Sequence, residues 1–191
     1  SKWFPFGDSL FFQDINLDIT RKINSHVKFT LFYAHMSYNK NVMEGKTNYP
    51  YINTDVTVAD ITWHINDELT LHSVGEHMLV GKGSMKGASG QDSTYTVDHG
   101  NWAAIMEELS IGEHFYVAVI DQYNYGNPGN GENGTTDHRV HYFKVQSGYS
   151  FGTTQIILGY GKQRQGIFCV GGVCRQVPAS NGFTLTLTSS F

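Results

Sequence analysis

The side chains able to do chemistry in this sequence are not spaced for the common catalytic or metal devices. Nine histidines invite a metal reading. His138 and His141 stand three apart, and in a strand, whose side chains alternate between faces, they point to opposite sides. His72 and His77 also fall on opposite faces of a continuous strand. Asp121, Asn124 and Glu132 lie near a Gly/Asn-rich stretch, but the spacing of a calcium loop is absent. Glu107 and Glu108 are adjacent, so a strand separates them and they cannot act as a carboxylate pair. Hydrolysis would need a nucleophile, a base and an orienting group, and no G-x-S-x-G elbow occurs. The reading is therefore a protein without enzymatic activity, metal or other cofactor. Arg139, Lys162, Arg164 and Arg175 are expected at the outer ends of strands. They could hold lipopolysaccharide phosphates, line a pore mouth for anionic solutes, or stand as solvated rim charges. Tyr49, Tyr51, Tyr123 and Tyr125 could stack on sugar rings or simply order neighbouring loops.

The elements that position these residues are strands. Only 16% of the 191 residues are charged and 14% are aromatic, with 21 glycines against 4 prolines. A soluble domain carries about a quarter charged residues, and this mixture suits many strands joined by turns. A formal net charge of -4 gives no basic footprint, so nucleic acid is not an expected partner. No apolar run reaches the roughly 18 residues of a transmembrane helix. A barrel strand needs only about 9–11 residues, every second one apolar, so the slightly negative mean hydropathy is compatible with a membrane barrel. Ser1 runs directly into Trp3-Phe4-Pro5-Phe6 with no leader pattern, which reads as a mature chain or a fragment. Residues 1–191 are taken as a single domain.

Period-two alternation marks the strands. Ile15, Leu17 and Ile19 alternate with Asp14, Asn16, Asp18 and Thr20. Similar patterns run through Val27–Tyr33, Ala59–Ile65, Phe143–Phe151, Ile156–Tyr160 and Phe183–Phe191. Strands are expected at 10–22, 26–39, 54–66, 68–80, 101–111, 114–125, 138–151, 154–167 and 177–191. The 114–124 stretch is apolar on both phases, which leaves its faces unassigned. Tight turns near Ile23–Ser25, Asn66-Asp67, Gly112-Glu113 and Gly152-Thr153 alternate with long polar loops near 40–53, 81–100, 126–137 and 168–176. Short periplasmic turns and longer outer loops are the pattern of an outer-membrane barrel.

The expected fold is thus all-β, an antiparallel up-and-down transmembrane β-barrel, or the C-terminal strands of a larger one. Its lumen-facing polar set would be Asp14, Asn16, Asp18, Lys28, Asp60, His64, Lys144, Gln146 and Gln155. Trp3, Trp63, Trp102, Tyr33, Tyr149 and Tyr160 would lie near the interfaces, where aromatic rings form girdles. The last strand, with Phe183, Leu185, Leu187 and the terminal Phe191, resembles the closing signal read by the barrel assembly machinery. Ser189 departs from the bulky apolar residue usual near that end. About nine strands would leave the N-terminus on the outer side, whereas single-chain bacterial barrels have even strand numbers. Further strands before Ser1, or strands from a partner, are expected to complete it.

Cys169 and Cys174 flank Gly171 and Gly172 in a predicted outer loop. The glycines can supply a tight turn, and the compartment outside the inner membrane is oxidising. A Cys169–Cys174 disulfide is expected, with free thiols as the alternative.

The stretch Gly166-Ile-Phe-Cys-Val-Gly-Gly-Val-Cys-Arg-Gln-Val-Pro-Ala-Ser-Asn-Gly182 resembles the C-terminus of a Bacteroidetes outer-membrane β-barrel family known only as a domain of unknown function. Asp121-Gln-Tyr-Asn-Tyr-Gly-Asn127, Leu158-Gly-Tyr-Gly-Lys-Gln-Arg164 and Trp3-Phe-Pro-Phe-Gly-Asp8 are similar to the same family, so the resemblance spans nearly the whole chain. Its members look longer than this chain, which implies a C-terminal piece. The resemblance implies the bacterial cell outer membrane as location, with lipid, lipopolysaccharide, the assembly machinery and other outer-membrane subunits as partners. It carries no catalytic motif. The expected function is a porin-like channel or a structural subunit of a larger outer-membrane assembly. The alternatives are a soluble β-barrel binding a small ligand in its interior, or an outer-membrane hydrolase.

Overall fold

The computed structural model describes residues 12–39, 51–81, 83–86, 92–95, 100–126, 139–170 and 173–189. These form β1 (Phe12–Lys22), β2 (Val27–Asn39), β3 (Tyr51–His64), β4 (Leu69–Val80), β5 (Gly83–Lys86), β6 (Asp92–Tyr95) and β7 (Trp102–Ile111), followed by β8 (Phe115–Asn124), β9 (Val140–Phe151), β10 (Thr154–Gln163), β11 (Gly166–Val170), β12 (Val173–Val177) and β13 (Ser180–Ser189). The described residues contain no helix. One sheet of nine strands runs β1-β2-β3-β4-β7-β8-β9-β10-β13. Each strand pairs antiparallel with its neighbours, in chain order.

Two expectations need correction. The barrel is not closed, because among the described residues β1 and β13 each keep one edge without a partner strand. The stretches read as loops at 81–100 and 168–176 are not wholly loop either. They carry the two-stranded hairpins β5–β6 and β11–β12. None of these four short strands alternates apolar and polar residues, so a period-two pattern does not mark them.

The tight turns all lie at one end of the sheet, and each has its own chemical cause. Asn24 Oδ1 accepts hydrogen bonds from the backbone N–H groups of His26 and Val27, both at 2.8 Å. Asn66 Oδ1 does the same for Glu68 and Leu69, both at 2.9 Å. In each case the side-chain amide mimics a backbone turn. The other two turns use Gly112 (φ 62°) and Gly152 (φ 57°) in the left-handed region. The opposite, or loop, end carries the two hairpins and the remaining connections.

The register gives the sheet two chemically distinct faces. One row across it runs Arg21, Phe29, Ile61, Ser73, Glu107, Val119, Val145, Tyr160 and Phe183. The row one residue along, on the other face, runs Lys22, Lys28, Thr62, His72, Glu108, Ala118, Gln146, Gly159 and Thr184. The first face, here called outer, presents large apolar side chains to the surroundings, among them Leu17, Trp63, Ile105, Phe115, Leu158 and Leu185. The buried hydrophobic cluster lies instead on the inner face, where Tyr116, Ala118 and Ile120 of β8 meet Ile157 of β10, with Met106 packed against them. This arrangement settles the ambiguity of β8. Phe115, Val117 and Val119 belong to the outer face while the alternate residues form the inner core, so both phases are apolar.

Candidate functional site

The inner face is where polar chemistry gathers. Asp14, Asn16, Asp18, Lys28, Asp60, His64, Lys144, Gln146 and Gln155 all fall on it by register. They do not form one cluster. On β1–β3, Asp14, Asn16, Asp18, Lys28 and His64 are exposed. There Thr20 and Thr30 hydroxyls meet across strands at 3.0 Å, His64 Nδ1 lies 2.9 Å from Thr70 Oγ1, and His72 Nε2 lies 3.1 Å from Asp60 Oδ2.

On β8–β10 the polar groups are buried. Lys144 is 4% exposed and Gln146 1%. The Lys144 Nζ donates to Gln163 Oε1. Gln163 Nε2 in turn donates to the carbonyl of Pro178 at 3.1 Å, tying the top of β10 to the segment that enters β13. Gln146 Nε2 donates to the Tyr116 hydroxyl at 3.4 Å, and Gln155 Nε2 to Ser150 Oγ at 3.2 Å. A buried charge or amide is tolerated only with such partners.

Glycines make the space. A Cβ on Gly148 would sit 2.1 Å from Cε1 of Tyr116, so the ring lies over β9 only because that position has no side chain. Gly159 similarly admits Thr184 Oγ1 and Lys144 Cε, at 2.7 and 2.9 Å from where a Cβ would stand.

Toward the loop end the inner face becomes aromatic and cationic. Trp102 and Tyr142 are stacked with centroids 5.9 Å apart and planes at 28°. The Arg164 guanidinium lies 4.6 Å from the Trp102 ring centre, and Lys162, which shares the register parity of outer Tyr160, brings its Nζ to 5.0 Å from the ring centre of Tyr142. Glu76, Met78, Ala104 and Gln122 join Trp102 and Arg164 around a cavity of about 100 Å³. That is below the size of a pocket for a cofactor. Its single indole wall, carboxylate, amide and guanidinium suit a small polar solute. Two of the four cations anticipated at outer strand ends, Lys162 and Arg164, are thus brought together, each on an aromatic face. The side chain of Arg175 lies outside the described residues.

The outer face carries its own polar belt at the loop end, whose pairings the sequence alone did not indicate. Asp55 Oδ1 accepts from the Tyr33 hydroxyl at 2.6 Å and lies 2.8 Å from His35 Nδ1. His77 Nε2 is 2.6 Å from the Tyr125 hydroxyl. His141 Nδ1 is 2.8 Å from Asp121 Oδ2, with Tyr123 stacked on the imidazole at 3.9 Å. The available signal was parity, since Tyr33 and His35 share a face with the apolar residues below them. Trp63, Tyr33, Tyr149 and Tyr160 lie on this face too, but Trp102 lies on the inner one.

Several candidates separate as expected or fall apart. His72 is inner and His77 outer, and Glu108 is inner and buried while outer Glu107 accepts from Ser73 Oγ at 2.5 Å. Asp121 and Asn124 stand on opposite faces, so they do not converge on a cation. Glu132, His138, Trp3, Tyr49 and Phe191 lie outside the described residues, as does the side chain of Tyr51. Among the described residues no three His, Cys, Asp or Glu side chains are grouped to hold a metal ion. Cys169 and Cys174 face each other as direct partners across the β11–β12 hairpin, with their side chains outside what is described. Phe183, Leu185 and Leu187 line the outer face of β13.

A family model, Family of unknown function (DUF6029), matches residues 1–191, and the chain belongs to that family. No curated protein and no solved structure matches it.

Proposed function

We propose that this member of a family of unknown function is part of a bacterial outer-membrane β-barrel, serving as a porin-like channel or as a structural subunit of a larger outer-membrane assembly. The observation that carries the reading is the inverted distribution of polarity. Leu158, Leu185 and Phe183 are 58%, 71% and 90% exposed, while Lys144 and Gln146 are buried on the opposite face. Water penalises the first arrangement and favours the reverse of the second. Lipid outside and a polar interior remove both objections. The belt of His, Asp and Tyr at the loop end of the outer face suits a headgroup boundary, where amphipathic rings settle. Lipopolysaccharide is the partner expected at that boundary, and the assembly machinery the one that reads β13. The same reading places Cys169 and Cys174 in an oxidising compartment. Their direct opposition in the β11–β12 hairpin supports a disulfide between them.

The test is fractionation of the protein at its native length, followed by reconstitution in planar bilayers. Extraction from the outer-membrane fraction only with detergent, and stepwise conductance afterwards, are the expected results for the channel. Insertion without conductance selects the structural subunit. Recovery from the aqueous fraction overturns the proposal in favour of a soluble ligand-binding barrel. Intact mass of the same sample should rise by about two mass units on reduction if the thiols are bridged.

A further inference from the structure

We infer that the gap between β1 and β13 is filled by an odd number of further β-strands, and that they come from this protein's own polypeptide outside β1–β13. β1 runs into the tight turn that begins at Ile23, so it points toward the turn end. β10 leaves the tight turn at Gly152 and points toward the loop end, and β13 runs antiparallel to it. Both free edges therefore point the same way. Bringing β1 directly against β13 would make a parallel pair in a sheet whose every other pairing is antiparallel.

A second copy does not solve this. Inserted in the same sense, it offers only edges that point the same way again. An antiparallel β13–β13 contact needs an inverted copy, with its loop end on the other side of the bilayer; this step rests on the membrane reading above. Further polypeptide of the same chain has the required direction on either side: a strand preceding β1 reaches it at the loop end and so comes up from the turn end, and a strand following β13 leaves it at the turn end and runs up.

The chemistry of an intervening strand follows from the edges it joins. It is apolar on the outer side, continuing Ile15, Leu17 and Ile19 on one flank and Phe183, Leu185 and Leu187 on the other. Its inner side is polar, continuing Asn16 and Thr186. The exposure along β13 fits a missing neighbour: Phe183, Leu185 and Leu187 are 90%, 71% and 67% exposed, against 59%, 58% and 37% for their partners Tyr160, Leu158 and Ile156 on β10, which is flanked on both sides.

Cysteine pairs decide the matter in the full-length protein, with Cys169 and Cys174 replaced by serine. Asn16→Cys on β1 is combined with Thr186→Cys on β13, and the register is stepped with Asp14→Cys, Asp18→Cys, Thr184→Cys and Thr188→Cys. Adjacent strands bring such residues to about 5 Å, within reach of a disulfide. One intervening strand sets them about 10 Å apart, the reach of a short bismaleimide. The expected result is no intramolecular disulfide at any register under copper–phenanthroline oxidation. Thr20→Cys/Thr30→Cys, on partner positions of β1 and β2, should bridge readily and report that the sheet has assembled. Benzophenone maleimide on the single Asn16→Cys variant should capture a peptide of the same chain from outside Phe12–Ser189. A β1–β13 disulfide within one chain overturns the inference while leaving membrane insertion standing. A β1–β13 disulfide between copies, or capture of a different protein, also overturns it. Failure to sediment with membranes strikes the proposed function instead.

Discussion

Tyr116 and Gly148 form a joint in which one residue's ring takes the volume that another residue leaves empty. Gly148→Ala places a methyl group inside that ring, at 2.1 Å from Cε1. The expected loss is about 1–3 kcal/mol, as for overpacking elsewhere, read from thermal unfolding in detergent. Tyr116→Ala in the same chain should remove most of the added penalty. Gly75→Ala is the control, since nothing lies within 4 Å of its would-be Cβ, and its effect should stay within about 0.5 kcal/mol. The Lys144–Gln163 contact makes a second prediction. Gln163→Leu takes an acceptor from a buried ammonium and should cost about 1.5–3 kcal/mol, measured by denaturant titration of the detergent-solubilised protein. At this scale the sequence was only partly legible. Lys144, Gln146 and Gln155 were readable as inner-face residues because alternation fixes parity. That they are buried while Asp14, Asn16 and Asp18 are exposed was not readable. Burial depends on which neighbouring strand carries a glycine, and pairing is non-local. Gln163 continues the inner parity of Gln155, Ile157 and Gly159 and is buried; its partners, Lys144 and the Pro178 carbonyl, are set by non-local pairing that no local pattern shows.

The strands were legible wherever one face differs from the other, as in β1 and β13, where apolar residues recur at every second position. Their ends were less so; β3 begins at Tyr51 and β13 at Ser180, where the polar loop residues carry no alternation. The same two-faced character makes a prediction for β10. Leu158→Arg puts a charge in the middle of the outer face. In a bilayer that should cost roughly 2–4 kcal/mol, seen as a smaller folded fraction on unheated gels of lipid-refolded protein. Asn16→Arg, on the exposed inner face of β1, should leave that fraction unchanged. Equal tolerance of the two substitutions would argue that the outer face meets water. Glu107 is a carboxylate set among apolar residues in the middle of that face. It lies in the register row with Ile61 and Val119, and its contact with Ser73 Oγ is the device that seats a carboxylate there.

An open sheet of this size has a definite instability as a whole. Half of the backbone groups of β1 and β13 point away from their only neighbour, and in hydrocarbon each such group costs several kcal/mol. The sum over two edges exceeds the roughly 5–15 kcal/mol that holds a domain together, so the sheet persists in a membrane only when flanked. The odd strand number, and with it the need for further strands, was legible in the sequence because turns and loops alternate so regularly; which edges meet was not, since no local pattern encodes it.

One detail of the inner wall bears on how ions would travel along it. Lys22 and Lys28 are direct partners beside the turn at Ile23, whereas Asp14 and Asp18 stand nearer the loop end of the same exposed wall. Like charges placed face to face oppose pairing, so the two lysines gain from any anion held between them. A conducting path beside β1 would meet fixed negative charge at one mouth and positive charge at the other. Such a conduit behaves as a diode: its current in planar bilayers should differ when the voltage is reversed, and Lys22→Gln together with Lys28→Gln should weaken that rectification.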